Sequence, residues 1–119
     1  MMENIVRKKA FAFALETIKV YKLLIEKKEF VLSKQLLRSG TAIGALIAES
    51  EHAESKPDFI HKLAIAQKEA QEASYWIELL FYSAYIDKTI FQLMNNDLKE
   101  IKLILSSSIL TTKKGIGKK

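Results

Sequence analysis

Apolar residues recur at alternating steps of four and three over more than 25 positions of this sequence: Phe59, Leu63, Ala66, Ala70, Ala73, Ile77, Leu80 and Ala84. This spacing keeps about one side chain per turn on a single helix face and is typical of the seam of a coiled-coil-like bundle. Ser55, with Pro57 in the following turn and Asp58 after it, is the pattern of a helix N-terminus. The sequence therefore predicts a long helix that packs along its length on other helices.

A second helix, from an N-cap at Ser33 to about His52, includes small residues on its apolar side. Gly40 lies on its main apolar face and Gly44 on the neighbouring face. Each glycine costs about 1 kcal/mol relative to alanine inside a helix, so we expect another backbone to approach closely at both positions. Because the long helix has alanines at the centre of its seam, we expect the glycines to pack against it.

Two further helices are predicted, one from about Ile5 to Lys27 and one from about Lys88, capped by Asp87, to about Thr112. The connections between the four helices are short, which makes neighbouring helices antiparallel. The sequence thus predicts an all-α fold, an up-down-up-down antiparallel four-helix bundle.

The length of 119 residues is that of one domain, which we divide into a four-helix bundle at 1–112 and a basic flexible tail at 113–119. The chain has no cysteine, which excludes disulfides and thiolate metal sites. No apolar run approaches the ~18 residues of a membrane span. We expect a cytoplasmic protein that makes no contact with membranes.

The predicted first helix is apolar over an unusually wide arc. Its apolar residues, among them Phe11, Phe13 and Leu15, cover about 200° of the helix circumference. A helix in a monomeric bundle needs an apolar stripe only somewhat wider than about 100°. We therefore expect the excess apolar surface to contact a second copy of the chain.

The net charge of +5 is unevenly distributed: residues 1–38 carry +5, residues 39–80 carry −4 and residues 81–119 carry +4. A basic surface indicates an anionic partner such as RNA or DNA. A solvated face that keeps the protein soluble and helps the helices to pair is the alternative interpretation. The candidate nucleic-acid-binding residues are Arg7, Lys8, Lys9, Lys19, Lys22, Lys113 and Lys114.

Polar residues form a second row beside the seam of the long helix, where Glu69, Glu72 and Trp76 lie. A partly buried carboxylate needs a partner, and Arg38 on the second helix is suited to pair with both glutamates. We predict a structural ion-pair network or a subunit contact rather than a catalytic site, because no histidine, serine or cysteine accompanies the acids. The predicted structural or interface residues are Arg38, Gly40, Gly44, Glu69, Glu72 and Trp76.

Two carboxylate-x-x-His pairs raise the alternative of a metal-dependent enzyme: Glu49 with His52, and Asp58 with His61. Di-iron bundle proteins use two Glu-x-x-His motifs that project into the core. Here the helical periodicity directs both histidines away from the core. We therefore predict no metal, no cofactor and no catalytic residues.

Two segments of the chain together resemble a bacterial family of four-helix-bundle proteins. The family is encoded in intervening sequences of large-subunit ribosomal RNA genes and includes the accessory variability determinant of diversity-generating retroelements. The chain departs from it at Leu46 and Ser50, where members often have asparagine and glycine or alanine. The matching residues are Gln35, Leu36, Arg38, Ser39, Ile43, Ile47, Ala48 and Glu49, then Phe59, Leu63, Ile65, Ala66, Glu69, Glu72 and Trp76.

The resemblance implies a homopentamer with a basic surface, because members form five bundles around an axis. The retroelement member binds nucleic acid and its reverse transcriptase, and no catalytic residues belong to the family. We therefore expect a non-enzymatic homo-oligomeric scaffold that contacts RNA, DNA or an enzyme such as a reverse transcriptase. A structural protein–protein interaction module that binds no nucleic acid is the alternative.

Overall fold

Four antiparallel helices account for most of the chain in a computed structural model that describes residues 2–117, with side chains at 5–115. They are α1 (Met2–Glu26), α2 (Leu32–Ser50), α3 (Lys56–Tyr82) and α4 (Lys88–Gly117). Each helix packs on its neighbours in sequence, and α1 also packs on α4, so the four helices form a square. The predicted all-α, up-down-up-down four-helix bundle is confirmed.

The predicted start and seam of α3 are confirmed. Ser55 is the N-cap, and its hydroxyl accepts a hydrogen bond from the Asp58 amide at 3.1 Å. The Asp58 carboxylate in turn accepts one from the Glu54 amide at 3.2 Å. The seam is buried from Leu63 to Leu80, whereas Ala84 lies beyond the helix and is exposed.

The predicted N-cap of α2 is wrong. The cap position is Val31, which makes no side-chain capping bond, and Ser33 lies inside the first turn. The Ser33 amide is satisfied by the Glu29 carboxylate, which accepts its hydrogen bond at 2.7 Å. The Ser33 hydroxyl is buried and has no hydrogen-bond partner among the described residues.

The two glycines of α2 face α1, not α3 as expected from the sequence. A Cβ atom built on Gly40 would lie 2.7 Å from Thr17 Oγ1 and 2.8 Å from Thr17 Cγ2. A Cβ atom on Gly44 would lie 3.6 Å from the carbonyl oxygen of Ala10, which is an ordinary contact. Only Gly40 is therefore required for the close approach of α1 and α2.

Helices α1 and α3 end in the same way, each followed by a residue with positive φ that is not glycine. Lys28 has φ 63° and Ala84 has φ 68°. Around Ala84, its own amide donates to Phe81 O and the next amide, that of Tyr85, donates to Leu80 O. This is a Schellman motif, and the hydrogen bonds around Lys28 have the same pattern.

The two motifs lie at the same end of the bundle and are joined by a side chain. Lys27, in the turn after α1, donates a hydrogen bond from its Nζ to the carbonyl oxygen of Tyr85 at 2.8 Å. Tyr85 lies in the turn after α3. The α1–α2 and α3–α4 hairpins are thus connected at this end.

Helix α4 begins as predicted, because the Asp87 carboxylate accepts a hydrogen bond from the Ile90 amide at 2.9 Å. Its core-facing residues Met94, Leu98, Ile101 and Leu105 are buried. The helix continues beyond the expected end at Thr112 to Gly117, so Lys113 and Lys114 lie in its last turns. Residues 118–119 of the expected tail lie outside the described part of the chain.

Candidate functional site

The Arg38 guanidinium joins α2 to α3 by pairing with two glutamates. Its NH1 group donates to Glu69 Oε1 at 3.1 Å, and its NH2 group donates to Glu72 Oε1. Trp76 Nε1 donates to the same Glu72 oxygen at 3.2 Å. The structure therefore brings together four of the six residues predicted to be structural.

The charges of this cluster affect its ionisation. The hydrogen bond from Arg38 holds the pKa of Glu72 below its usual value, and the bond from Trp76 adds to the effect. The pKa of Arg38 is raised, chiefly by the same pair. Because Arg38 pairs with both glutamates, the cluster serves as a contact between α2 and α3 on a partly exposed surface.

The candidate nucleic-acid-binding cations of α1 lie beside carboxylates in three cases. Arg7 NH1 lies 2.9 Å from Glu51 Oε1, and Lys9 Nζ lies 2.5 Å from Glu100 Oε2. Lys19 Nζ lies 3.7 Å from Glu16 Oε2, one turn away on the same helix. These three positive charges are therefore partly neutralised within the chain.

The remaining candidates are exposed. Lys8 and Lys22 on α1, and Lys113 and Lys114 at the end of α4, form no ion pair with carboxylates among residues 5–115. They lie on two separate helices. The structure thus divides the predicted basic surface into paired and unpaired cations.

A small acidic pocket lies between α1 and α4. It has a volume of about 200 Å³ and is lined by Lys9, Ala12, Asp97 and Glu100. Burial raises the pKa of Asp97, and the nearby charge of Glu100 raises it further, whereas Lys9 opposes this. Because Lys9 pairs with Glu100, the negative charge of Asp97 is less well compensated than that of Glu100.

The outer face of α1 exposes large apolar side chains. Phe11 is 65% exposed, Leu15 52% and Ile18 36%, and the three lie on adjacent turns. The buried face of the helix is formed instead by Val6, Ala10, Phe13, Thr17, Val20 and Leu24. Beside the exposed row lies an open groove of about 470 Å³, lined by Arg7, Lys8, Phe11, Ala12 and Leu15. We call the row of Phe11, Leu15 and Ile18 the α1 face.

The two histidines do not form part of a metal site in the described chain. His52 and His61 are exposed, and His52 lines a shallow pocket of about 440 Å³ beside Glu49, Glu54, Asp58 and Lys62. Lys62 Nζ lies 3.5 Å from Glu49 Oε1, so this carboxylate already forms an ion pair. Within residues 5–115, no three His, Asp or Glu side chains converge closely enough to hold a metal ion.

Sequence reasoning missed a basic surface on α4. Lys102 Nζ donates hydrogen bonds to Gln71 Oε1 and Ser74 Oγ of α3, each at 2.9 Å. Burial lowers the pKa of Lys102, and the positive charge of Lys99 adds to this. The signal was present in the sequence, because Lys99 and Lys102 belong to a row of α4 at helical spacing that contains no acid.

None of the helices in the described chain has the length and apolar composition needed to span a membrane.

Comparisons with known proteins extend the similarity to the whole fold. The sequence profile of 23S rRNA-intervening sequence proteins matches residues 2–107. The chain is also similar to a protein of unknown function from the S23 ribosomal protein family of Bacteroides thetaiotaomicron, whose crystal structure was solved at 1.70 Å. The two share 51% sequence identity and a TM-score of 0.90, over 92% of this chain and 98% of the other. No curated protein sequence gives a significant match.

Proposed function

The chain belongs to the family of 23S rRNA-intervening sequence proteins, and we propose that it is a non-enzymatic scaffold that assembles with copies of itself and contacts nucleic acid. The homopentamer implied by the family resemblance is the assembly we propose. A nucleic-acid enzyme such as a reverse transcriptase is a further partner under the same proposal. The proposal also includes the cytoplasmic location expected from the sequence.

The α1 face is the observation that carries the proposal. Phe11, Leu15 and Ile18 form a continuous apolar row that no other helix of the described chain covers. Burying a Leu or Phe side chain completely is worth roughly 1.5–3 kcal/mol, so half-exposed side chains gain roughly half of that when a partner covers them. Contiguous exposed apolar surface of this kind marks a protein–protein contact.

Charge complementarity favours a second copy of the chain as the partner. The α1 face is bordered by Arg7, Lys8 and Lys22, whereas residues 39–80, which form most of α2 and α3, carry a net charge of −4. Contact between the α1 face of one copy and the α2–α3 side of the next joins two different surfaces. Such heterologous contacts generate closed rings when the rotation between subunits closes.

Light scattering after gel filtration tests the assembly. A pentamer gives about 68 kDa, five times the 13.6 kDa of the chain. The double variant Phe11→Glu, Leu15→Glu should give monomers, because it places two charges in the apolar row. Leu103→Glu on α4 is the matched control, since Leu103 is 71% exposed but lies on another helix. A wild-type peak at the mass of one chain contradicts the proposed assembly.

Fluorescence anisotropy with labelled RNA and DNA of mixed sequence tests the nucleic-acid contact. Binding through phosphates should be strong at low salt, weaken steeply as salt rises and tolerate changes of sequence. If the wild-type protein assembles but binds neither probe at 50 mM salt, the protein–protein interaction module considered from the sequence is the better description.

A further inference from the structure

One face of α4 carries four lysines and no carboxylate. Its residues follow one another at steps of three and four, so they lie in one row along the helix. The row extends over 25 residue steps, or about 37 Å at 1.5 Å per residue. It consists of Lys88, Gln92, Asn95, Lys99, Lys102, Ser106, Leu110 and Lys113.

The lysines of this row differ from most of the α1 cations in their partners. Lys88, Lys99, Lys102 and Lys113 form no ion pair with a carboxylate among residues 5–115. On α1, by contrast, Arg7, Lys9 and Lys19 each lie within reach of a glutamate. The α4 row therefore has the larger uncompensated positive charge.

The α3 residues opposite the row are neutral and polar along most of its length. Gln67 Nε2 donates to Ser106 Oγ at 2.8 Å, and Lys102 is held by Gln71 and Ser74. Glu78 follows Ser74 by one helical turn and is the acid on the side of α3 that faces α4. We call this surface, made of the α4 row and Gln67, Gln71 and Ser74, the α3–α4 face.

Lys102 shows that the α3–α4 face lacks a negative charge. The side chain is partly buried, and its two hydrogen-bond acceptors are neutral. Burial and the charge of Lys99 lower its pKa, and no carboxylate among residues 5–115 pairs with the ammonium. An open depression of about 370 Å³ lies at this place, lined by Lys99, Lys102, Leu103 and Ser106. A phosphate group bound there would lie beside two lysines that pair with no carboxylate among residues 5–115.

We propose that the α3–α4 face binds the phosphodiester backbone of nucleic acid, with Lys99 and Lys102 at the centre of the contact. The inference rests on the proposed function, but it places the nucleic acid on α4 instead of on the α1 cations. It also separates the two activities of the scaffold, because α1 and α4 present different faces: the α1 face is available for assembly while the α3–α4 face stays open. A row of about 37 Å is long enough to contact several phosphates of a nucleic acid.

The test compares variants that remove the same charge from different faces. Lys99→Gln with Lys102→Gln should lower the affinity for single-stranded RNA or DNA of 30 nucleotides about tenfold at low salt. It should also reduce the slope of log affinity against log salt by about 1.4, since each lost phosphate contact contributes about 0.7. Lys28→Gln with Lys68→Gln is the matched control, because both side chains are exposed and lie outside the α4 row and the α1 face, and it should keep the slope of the wild type.

Two single variants keep the test decisive if loss of Lys102 disturbs the packing of α3 on α4. Lys99→Gln removes a side chain that is exposed, so it should lower the slope by about 0.7 without lowering the melting temperature. Glu78→Gln should increase the affinity, because it removes the acid next to the face. A structural role of these residues would not produce a gain in binding.

The outcomes separate this inference from the proposed function. If the wild-type protein binds and the Lys99 and Lys102 variants bind equally well with the wild-type salt slope, the inference is wrong and the proposed function stands. The same conclusion follows if Arg7→Gln with Lys9→Gln causes the larger loss. If the wild-type protein does not bind nucleic acid at low salt, the nucleic-acid part of the proposed function itself fails.

Discussion

Gly40 of α2 faces Thr17 of α1 at a distance that leaves no space for a methyl group. Thr17 is fully buried, and its hydroxyl donates a hydrogen bond to the carbonyl oxygen of Phe13 at 2.8 Å. A Cβ atom on Gly40 would lie 2.7 Å from that hydroxyl oxygen. The β-branched Thr17 side chain has few alternative rotamers in a helix, so it cannot easily move away.

We expect Gly40→Ala to lower the free energy of unfolding by about 1–3 kcal/mol, the usual cost of overpacking a core. Gly44→Ala should be neutral or stabilising by up to about 1 kcal/mol, because its Cβ finds ordinary contacts and alanine favours the helix. Urea unfolding of both variants measures the difference. Equal effects of the two substitutions would show that the contact with Thr17 is not limiting.

Ser33→Ala should stabilise the protein by about 1 kcal/mol, because it removes a buried hydroxyl that has no hydrogen-bond partner among the described residues. Glu29→Ala should destabilise it by about 1 kcal/mol, since the Glu29 carboxylate accepts a hydrogen bond from the Ser33 amide. Thermal unfolding followed by circular dichroism measures both changes. If Ser33 capped α2 with its side chain, Ser33→Ala would be destabilising instead.

Ala84→Gly should raise the free energy of unfolding by about 0.5–1 kcal/mol. The φ of 68° at this position is unfavourable for a residue with a side chain and is accessible to glycine without cost. Ser83→Gly is the control, because Ser83 has a φ of −91° and its hydroxyl bonds to Leu79 O. A melting temperature that falls in both variants would contradict the prediction for Ala84.

The Arg38–Glu72 pair should make stability depend on pH in one direction. The folded-state pKa of Glu72 is lowered, so its contribution is present above the ordinary glutamate pKa and is lost as pH falls through the folded value. Glu72→Gln should therefore destabilise the protein at pH 7 by about 0.2–1 kcal/mol, as for other exposed pairs. The difference from wild type should vanish in strong acid, and unfolding curves across this pH range measure it.

Asp97 should make the stability of the protein depend on pH in the opposite direction. Its folded-state pKa is raised, so the folded protein binds a proton more tightly than the unfolded chain, and stability falls as pH rises through the folded value. Asp97→Asn should stabilise the protein at pH 7 within about 1 kcal/mol, because the site is only partly removed from solvent. Below the ordinary aspartate pKa the gain should disappear. Equal stability of variant and wild type at pH 7 would show that Lys9 compensates Asp97 fully.

The elements that the sequence predicted well are those with local signals. Ser55, Pro57 and Asp58 lie next to one another and define the start of α3, and the buried seam from Leu63 to Leu80 follows from periodicity alone. The α2 cap was missed because the Ser33 amide donates its hydrogen bond to the carboxylate of Glu29, and Glu29 does not occupy the usual cap position. The fold class needed only the four helices and their short connections.

The details that sequence reasoning missed depend on relations between helices. Periodicity shows that Gly40 lies on an apolar face, but not that α1 instead of α3 covers it. It shows equally that Arg7 and Lys9 are basic, but not that Glu51 and Glu100 lie beside them. Which cations stay unpaired, and therefore where an anion can bind, is determined only when the helices are packed.

The hydrogen bond from Lys27 to the Tyr85 carbonyl gives the bundle two unlike ends. It joins positions 58 residues apart and crosses from one helical hairpin to the other. At the opposite end the α2–α3 turn is the covalent link between the hairpins. Because a hydrogen bond opens and a chain link does not, local unfolding that separates the hairpins should start at the Lys27 end, and Lys27→Met should speed hydrogen exchange of backbone amides near Tyr85 more than of those in the turn around Ala53.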